Sequence, residues 1–505
     1  MALSQEKKKQ KSVAKDIVNT FDFLITAFIP ALLIITFVVR PFIIPTGSMA
    51  ETLKGAHFRL CCPQCGYEYS QNFEPREYGR PANTFVKGKL RPPATQCPSC
   101  GYYRVDNTPM SVSPGDKILV LKFFYQFFEP QRWDVMVFKS PTEPEIDYIK
   151  RLVALPGETI EIIDGDVYID GQIARKPEKV QDELWMAVYD NDYQPVRPVE
   201  GSFNGHIWRQ PFNIGQSQWT IDKNDPTVFL LNSNGTENTL TYDTSIGNDF
   251  SATYAYNNIG VNRAMPYCSD IMLRFYTKLL GPNDRIGIVL GKYGIEYKAS
   301  IDSDGTMIIE RAAEAGQFEE LTQKNITPPK TNKEFLVKFA NVDHQLVFEC
   351  GNEKLSFDLG RAPEDAGKRN TKISPQAKIV GDGKLSISHV AIFRDIHYTT
   401  IDVPNGHPKP LAEEGSPFKL KKDQFFALGD NSPVSGDSRM WERPGRGNNG
   451  VLYDRGTVPR EYLVGKAFFV ILPSGFKPFE KFIFSPIPNF GQMKFIYGGQ
   501  QKTPN

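Results

Sequence analysis

The sequence predicts a mostly β protein in several units behind one N-terminal transmembrane helix. Three observations carry that reading. An uncharged apolar run, Phe23 to Val39, stands near the N-terminus and is just long enough to span a bilayer. Behind it come many short apolar runs broken by Asn, Gly and Asp turns, the pattern of β-strands. The 505 residues also exceed what one hydrophobic core covers, so two or three domains are expected.

Composition sets the outer limits. With 40% hydrophobic residues, 12% aromatics, 40 Gly and 38 Pro the chain is folded and turn-rich, not disordered. Lys+Arg 59 against Asp+Glu 58 leaves a net charge of +1. Nothing in that balance asks for a nucleic-acid partner, and none is expected.

Residues 1–20 form a basic tail with Lys7, Lys8, Lys9, Lys11 and Lys15. Such a cluster ahead of a first apolar segment stays cytoplasmic, so residues 21–40 make the membrane span and the remainder is exported. A cleavable secretory signal is the competing reading. Against it, Arg40-Pro41-Phe42-Ile43-Ile44 follows the run where a small-x-small site would stand. A buried core helix fits less well, because the segment is apolar all round.

Residues 41–56, containing Ser48, read as extended chain entering a turn. Residues 57–108 then shift in composition and hold two CPxCG units, with Cys62, Cys65, Cys97 and Cys100. Paired CxxC turns aim four thiolates at one ion, so a structural zinc ribbon is expected; disulfides are the competing fate in an exported compartment. Cys61 is a spare neighbour. In residues 109–175 strands are expected at Lys117 to Leu121, Val135 to Phe138, Thr159 to Ile163 and Val167 to Ile169, the last two joined by an Asp164-Gly165 hairpin turn.

Residues 176–400 alternate short strands with turns, for example Arg285 to Leu290, Gly294 to Ile301, Met307 to Glu310, Glu334 to Phe339, Gln345 to Glu349 and Ser386 to Phe393. That spacing predicts a β-sandwich. Cys268 and Cys350 either pair or are simply buried. Residues 401–475 return to an apolar strand, Ala467 to Leu472. The tail, 476–505, mixes aromatics with Lys477, Lys481 and Lys494 and suits a membrane surface or a closing strand.

For chemistry, Ser48 needs a base and an oxyanion receiver. None of the 6 His stands in a triad-type context. Lys150, ending IDYIK before RLVALPG, can serve if burial keeps it neutral; a lone strand lysine otherwise snorkels to solvent.

Five elements bear on that choice: PTGSM (45–49), SPGDKILVLKF (113–123), RWDVMVFKSP (132–141), DYIKRLVALPGE (147–158) and FALGDNSPVSGDSRMW (426–441). In this order behind an apolar segment they resemble bacterial signal peptidase I. The resemblance implies a β catalytic domain on the outer face of the bacterial plasma (inner) membrane that removes signal peptides from exported preproteins. It implies Ser48 as nucleophile, Lys150 as general base, and Ser435 as the hydroxyl that orients the lysine. The Ser48 N–H with the Thr46 hydroxyl resembles the oxyanion hole, and Asp430, Asp437 and Arg439 resemble the residues bracing the loop. No cofactor is implied for catalysis.

The substrate would end in small-x-small before the cut. Phe42, Ile43, Ile44 and FFYQFF (123–128) suit either an apolar rim touching the lipid bilayer or core packing. The 176–400 unit resembles concanavalin- or laminin-G-like jelly rolls, which implies a glycan or protein partner, with Trp185, Trp208 and Trp219 as stacking faces or as core. The alternative function is an anchored glycan- or protein-binding module on an inert peptidase scaffold.

Overall fold

The computed structural model describes residues 38–81, 88–104, 108–203, 205–260, 265–312, 317–399, 409–447, 450–472 and 490–499, with scattered helical positions between 19 and 30. Among the described residues no helix is long and apolar enough to cross a membrane. Most of the expected span, the basic tail, and Lys477 and Lys481 lie outside the described residues. One boundary moves: the helix expected through Arg40 has given way by Val39, where the strand Val39–Ile43 begins. It pairs antiparallel with Lys117–Lys122 at the edge of a sheet. An edge is where Pro41, which has no N–H for a second neighbour, is tolerated.

That sheet runs Val39–Ile43, Lys117–Lys122, Leu463–Leu472, Val135–Lys139, Asp147–Ala154, Gln424–Leu428 and Val458–Pro459 in spatial order. Its strands come from three stretches of sequence separated by two long intervening regions. The strand Asp147–Ala154 has a neighbour on each side, and Leu152, Val153 and Ala154 are buried. A second sheet of four strands holds the expected hairpin, with Ile163 opposite Asp166. Asp164 and Gly165 turn it with φ of 47° and 84°, the left-handed pair that a two-residue turn requires.

Between Met186 and Arg394 two large antiparallel sheets enclose one apolar core. Leu273, Phe275, Ile286, Ile288, Phe339 and Ile387 all lie in it. Trp219 belongs to the same core and is no stacking face, while Trp185 and Trp208 are part-buried against neighbouring clusters. Cys268 and Cys350 are both buried and both free, so they do not pair.

The two sheets are tied to the hairpin sheet by a buried charge cluster. Asp166 of the hairpin and Asp270, Asp343 and Asp395 of the intervening region bring carboxylate oxygens within 4.8 Å of one another. Lys176 pairs with Asp343 and Asp395, and Lys292 with Asp270. Two ammonium groups inside four carboxylates make this an ionic interlock between the regions.

The apolar rim divides. Ile43, Phe123, Phe127 and Phe128 are exposed, whereas Ile44 is buried and Phe42 and Tyr125 pack partly against the core.

Candidate active site

Ser48 lies in a single 3-10 turn, Gly47–Met49, that follows the edge strand. Met49, Ala50 and Leu53 are buried just beyond it and anchor the turn. Gly47 admits no side chain, because a Cβ there would run into the Tyr256 ring and Asn72 Oδ1. Met49 and Gly47 are buried, and Ser48 between them is half-buried.

Lys150 comes from the strand Asp147–Ala154, opposite Met136 of the neighbouring strand. Only 5% exposed, it donates from Nζ to Ser48 Oγ at 2.6 Å. Burial pushes its ammonium down to about 8, against the upward pull of Asp437 and Asp430 and with a further push from Arg439. A group so placed carries a usable neutral fraction near neutral pH, and the hydrogen bond then reverses, with Ser48 donating.

The loop after the strand Gln424–Leu428 closes over this pair. Asp430 receives both Nε and Nη2 of Arg151, at 2.9 and 2.8 Å. Asp437 receives Nε and Nη2 of Arg439, at 2.9 and 2.6 Å, and the Gly429 N–H at 3.0 Å. Burial pushes the Asp437 carboxyl up, but Arg439 and these hydrogen bonds outweigh it and hold it below its usual range. Arg439 also donates to Thr399 O and Ser432 Oγ. The loop backbone reaches the Ser48 turn directly, since the Asn431 N–H donates to Ser48 O at 3.0 Å.

The structure thus brings Ser48, Lys150, Asp430, Asp437 and Arg439 together. Ser435 is buried beside them, but its Oγ makes no hydrogen bond among the described residues, the expected one to the lysine included. Thr46 is exposed at the start of the turn, extended at φ −121°, and its side chain makes no capping bond. Sequence reasoning misses Arg151 and Asn431. Arg151 reads as mere flank to the lysine, because its partner is 279 residues away and no local pattern announces it.

The four cysteines converge as well. Their sulfurs lie within 4.8 Å of one another, with Cys62 and Cys100 at 3.7 Å and Cys65 and Cys97 at 3.7 Å. All four are free. These separations exceed a disulfide's roughly 2.05 Å and fit four sulfurs around one ion. Each knuckle closes by a backbone bond, Gly66 N–H to Cys62 O and Gly101 N–H to Cys97 O. Gly66 and Gly101 take φ of 78° and 77°, as such a turn demands.

The family model described as signal peptidase, peptidase S26 matches residues 100–225 and 380–472. Lys150 and the loop 429–439 fall inside those ranges; Ser48 does not. The chain is 37% identical over 125 residues to a probable signal peptidase I-1 of Synechocystis, covering 21% of this chain and 61% of that one. It is 28% identical over 178 residues to signal peptidase I of Rickettsia felis, covering 35% of this chain and 51% of that one. The chain therefore spans little more than half the length of these relatives. Among solved structures, a carbohydrate-binding module CBM66 from Bacillus subtilis matches at 10% identity over 36% of this chain and 95% of that one, at a TM-score of 0.24 that assigns neither fold nor ligand. Through residues 100–225 and 380–472 the chain is similar to the signal peptidase family, peptidase S26.

Proposed function

We propose that the chain is a membrane-anchored serine endopeptidase that removes N-terminal signal peptides from exported preproteins. The observation that carries the reading is the 2.6 Å contact between Lys150 Nζ and Ser48 Oγ in a site where the lysine is buried. Neutral Lys150 takes the Ser48 proton as Oγ attacks the carbonyl carbon before the cut. The oxyanion is received by the Ser48 N–H, with the exposed Thr46 hydroxyl as second donor. Collapse breaks the C–N bond, and the proton on Lys150 leaves with the new amine. Lys150 then takes a proton from water, whose oxygen attacks the acyl ester; as the ester C–O bond breaks, Lys150 returns the proton to Ser48 Oγ and the neutral dyad is restored.

Arg151 and Arg439 neutralise Asp430 and Asp437, which limits how far these carboxylates raise the lysine. That balance supports a base that is partly neutral under working conditions. Ile43, Phe123, Phe127 and Phe128 offer an exposed apolar surface for lipid beside the sheet edge where the chain leaves the expected anchor. Cys62, Cys65, Cys97 and Cys100 would hold a structural zinc, whose chemistry is to crosslink the two knuckles.

The inert-scaffold alternative has less support, because a scaffold that had lost catalysis has no use for a buried lysine aimed at a serine. Incubating the purified chain with a preprotein and reading the new N-terminus by mass spectrometry tests the proposal. A single cut after a small-x-small sequence is expected; intact preprotein in lipid or detergent contradicts it.

A further inference from the structure

The stretch 248–258 lies between two strands of the large sheets, Asn238–Tyr242 and Ile271–Leu279. It leaves their core and enters the peptidase half. Tyr254 and Tyr256 pack there with Ala50, Trp133, Phe426 and Leu428. Tyr254 donates its hydroxyl to Asp430 O at 3.0 Å, and Tyr256 O accepts the Asn72 N–H at 2.7 Å.

Asn257, at the end of this stretch, is 2% exposed and faces Asn431, which is fully buried. Their amides pair reciprocally: Asn257 Nδ2 donates to Asn431 Oδ1 and Asn431 Nδ2 to Asn257 Oδ1, each at 2.8 Å. Asn431 Nδ2 also donates to Gly47 O at 3.0 Å. An amide nitrogen has two hydrogens, so both are now used. Were Asn431 alone flipped, its oxygen would confront both Gly47 O and Asn257 Oδ1 and both bonds would be lost.

Gly47 C=O and Ser48 N–H are the two ends of one planar peptide and point in opposite directions. Anchoring the carbonyl therefore aims the N–H. The Asn431 N–H bonded to Ser48 O holds the next peptide as well. We propose that Asn257 is a positioning residue for the peptidase reaction: acting through Asn431, it fixes the Gly47–Ser48 peptide and directs the Ser48 N–H at the developing oxyanion. The region between the lysine and the 429–439 loop thus supplies part of the support for the nucleophile. This rests on the reading of Ser48 as nucleophile.

A misaimed oxyanion donor weakens transition-state binding more than substrate binding, so the loss falls on kcat rather than KM. The test is steady-state cleavage of a preprotein by the full chain and by Asn257→Ala, Asn431→Ala and the double variant, with melting curves for each. Expected are a kcat about tenfold down in Asn257→Ala, a KM within about twofold, an unmoved acid limb of the pH profile, and a double variant no slower than Asn431→Ala alone. If Asn257→Ala does not fold, Asn257→Ser is held to the same kcat and KM criteria. A kcat within about twofold of wild type, or losses that multiply in the double variant, overturns the proposal. Wild-type chain that cleaves nothing overturns the peptidase reading, and this proposal with it.

Discussion

Lys150 Nζ stands 2.6 Å from Ser48 Oγ, while the two carboxylates nearest in influence, Asp437 and Asp430, are each bound by an arginine. The lysine's hydrogen bond goes to the serine and not to either carboxylate.

The first consequence is a pH profile. With the Lys150 ammonium pushed down to about 8, only the neutral fraction acts as base. Log kcat/KM should rise with pH at a slope of about one below that value and level above it. Initial rates from about pH 6 to about pH 10 check this; a flat profile would exclude lysine as the titrating base.

The same group shapes stability. In the unfolded chain Lys150 binds its proton up to about 10.5, in the folded one only to about 8. Below pH 8 the fold carries the full penalty of a buried charge, and the penalty is relieved as pH rises from 8 to 10.5. Lys150→Met should therefore stabilise by about 3 kcal/mol at about pH 7, with the gain fading toward pH 10.5. Denaturant melts at the two pH values measure it.

Asp430 and Arg151 are both fully buried. Asp430→Asn removes the bidentate partner of the guanidinium and leaves it only Glu183, at 3.8 Å, and breaking such a buried pair typically costs about 3–5 kcal/mol. Thermal melting should show that loss even where Ser48 and Lys150 are intact.

Asp166 sits in the carboxylate cluster with its pKa raised well above the usual value by burial first and then by Asp270. A raised acid opposes folding as pH climbs through its window, so the penalty is complete above it and absent below about pH 4. Asp166→Asn should stabilise at about pH 7 and confer nothing at about pH 4. Melting curves at the two pH values decide.

For the cysteines, metal analysis of the purified chain should give one zinc per chain, and Cys65→Ser should lose it. No metal together with only three titratable thiols in the denatured chain, those of Cys61, Cys268 and Cys350, would instead indicate disulfides.

Legibility falls with distance along the chain. The hairpin through Asp164 and Gly165 can be read because its alternation and its turn are local. So can Arg285–Lys292 and Ile295–Asp302, joined by Tyr293 and Gly294. The strand Phe318–Asn325 cannot: at the edge of its sheet both faces are largely open, and FEELTQKN shows no apolar period. Ser48 and Lys150 stand out by motif, and the fold brings them together. Asn257 and Asn431, 174 residues apart, carry no local mark, since an asparagine in a loop reads as a turn former until its buried partner is seen.

The most direct measurement is the cleavage rate of one preprotein by wild type, Ser48→Ala and Lys150→Ala, with each variant shown to be folded. A Ser48 nucleophile served by Lys150 predicts cleavage by wild type and a loss of at least about a thousandfold in both variants. Cleavage by either variant at the wild-type rate would contradict it.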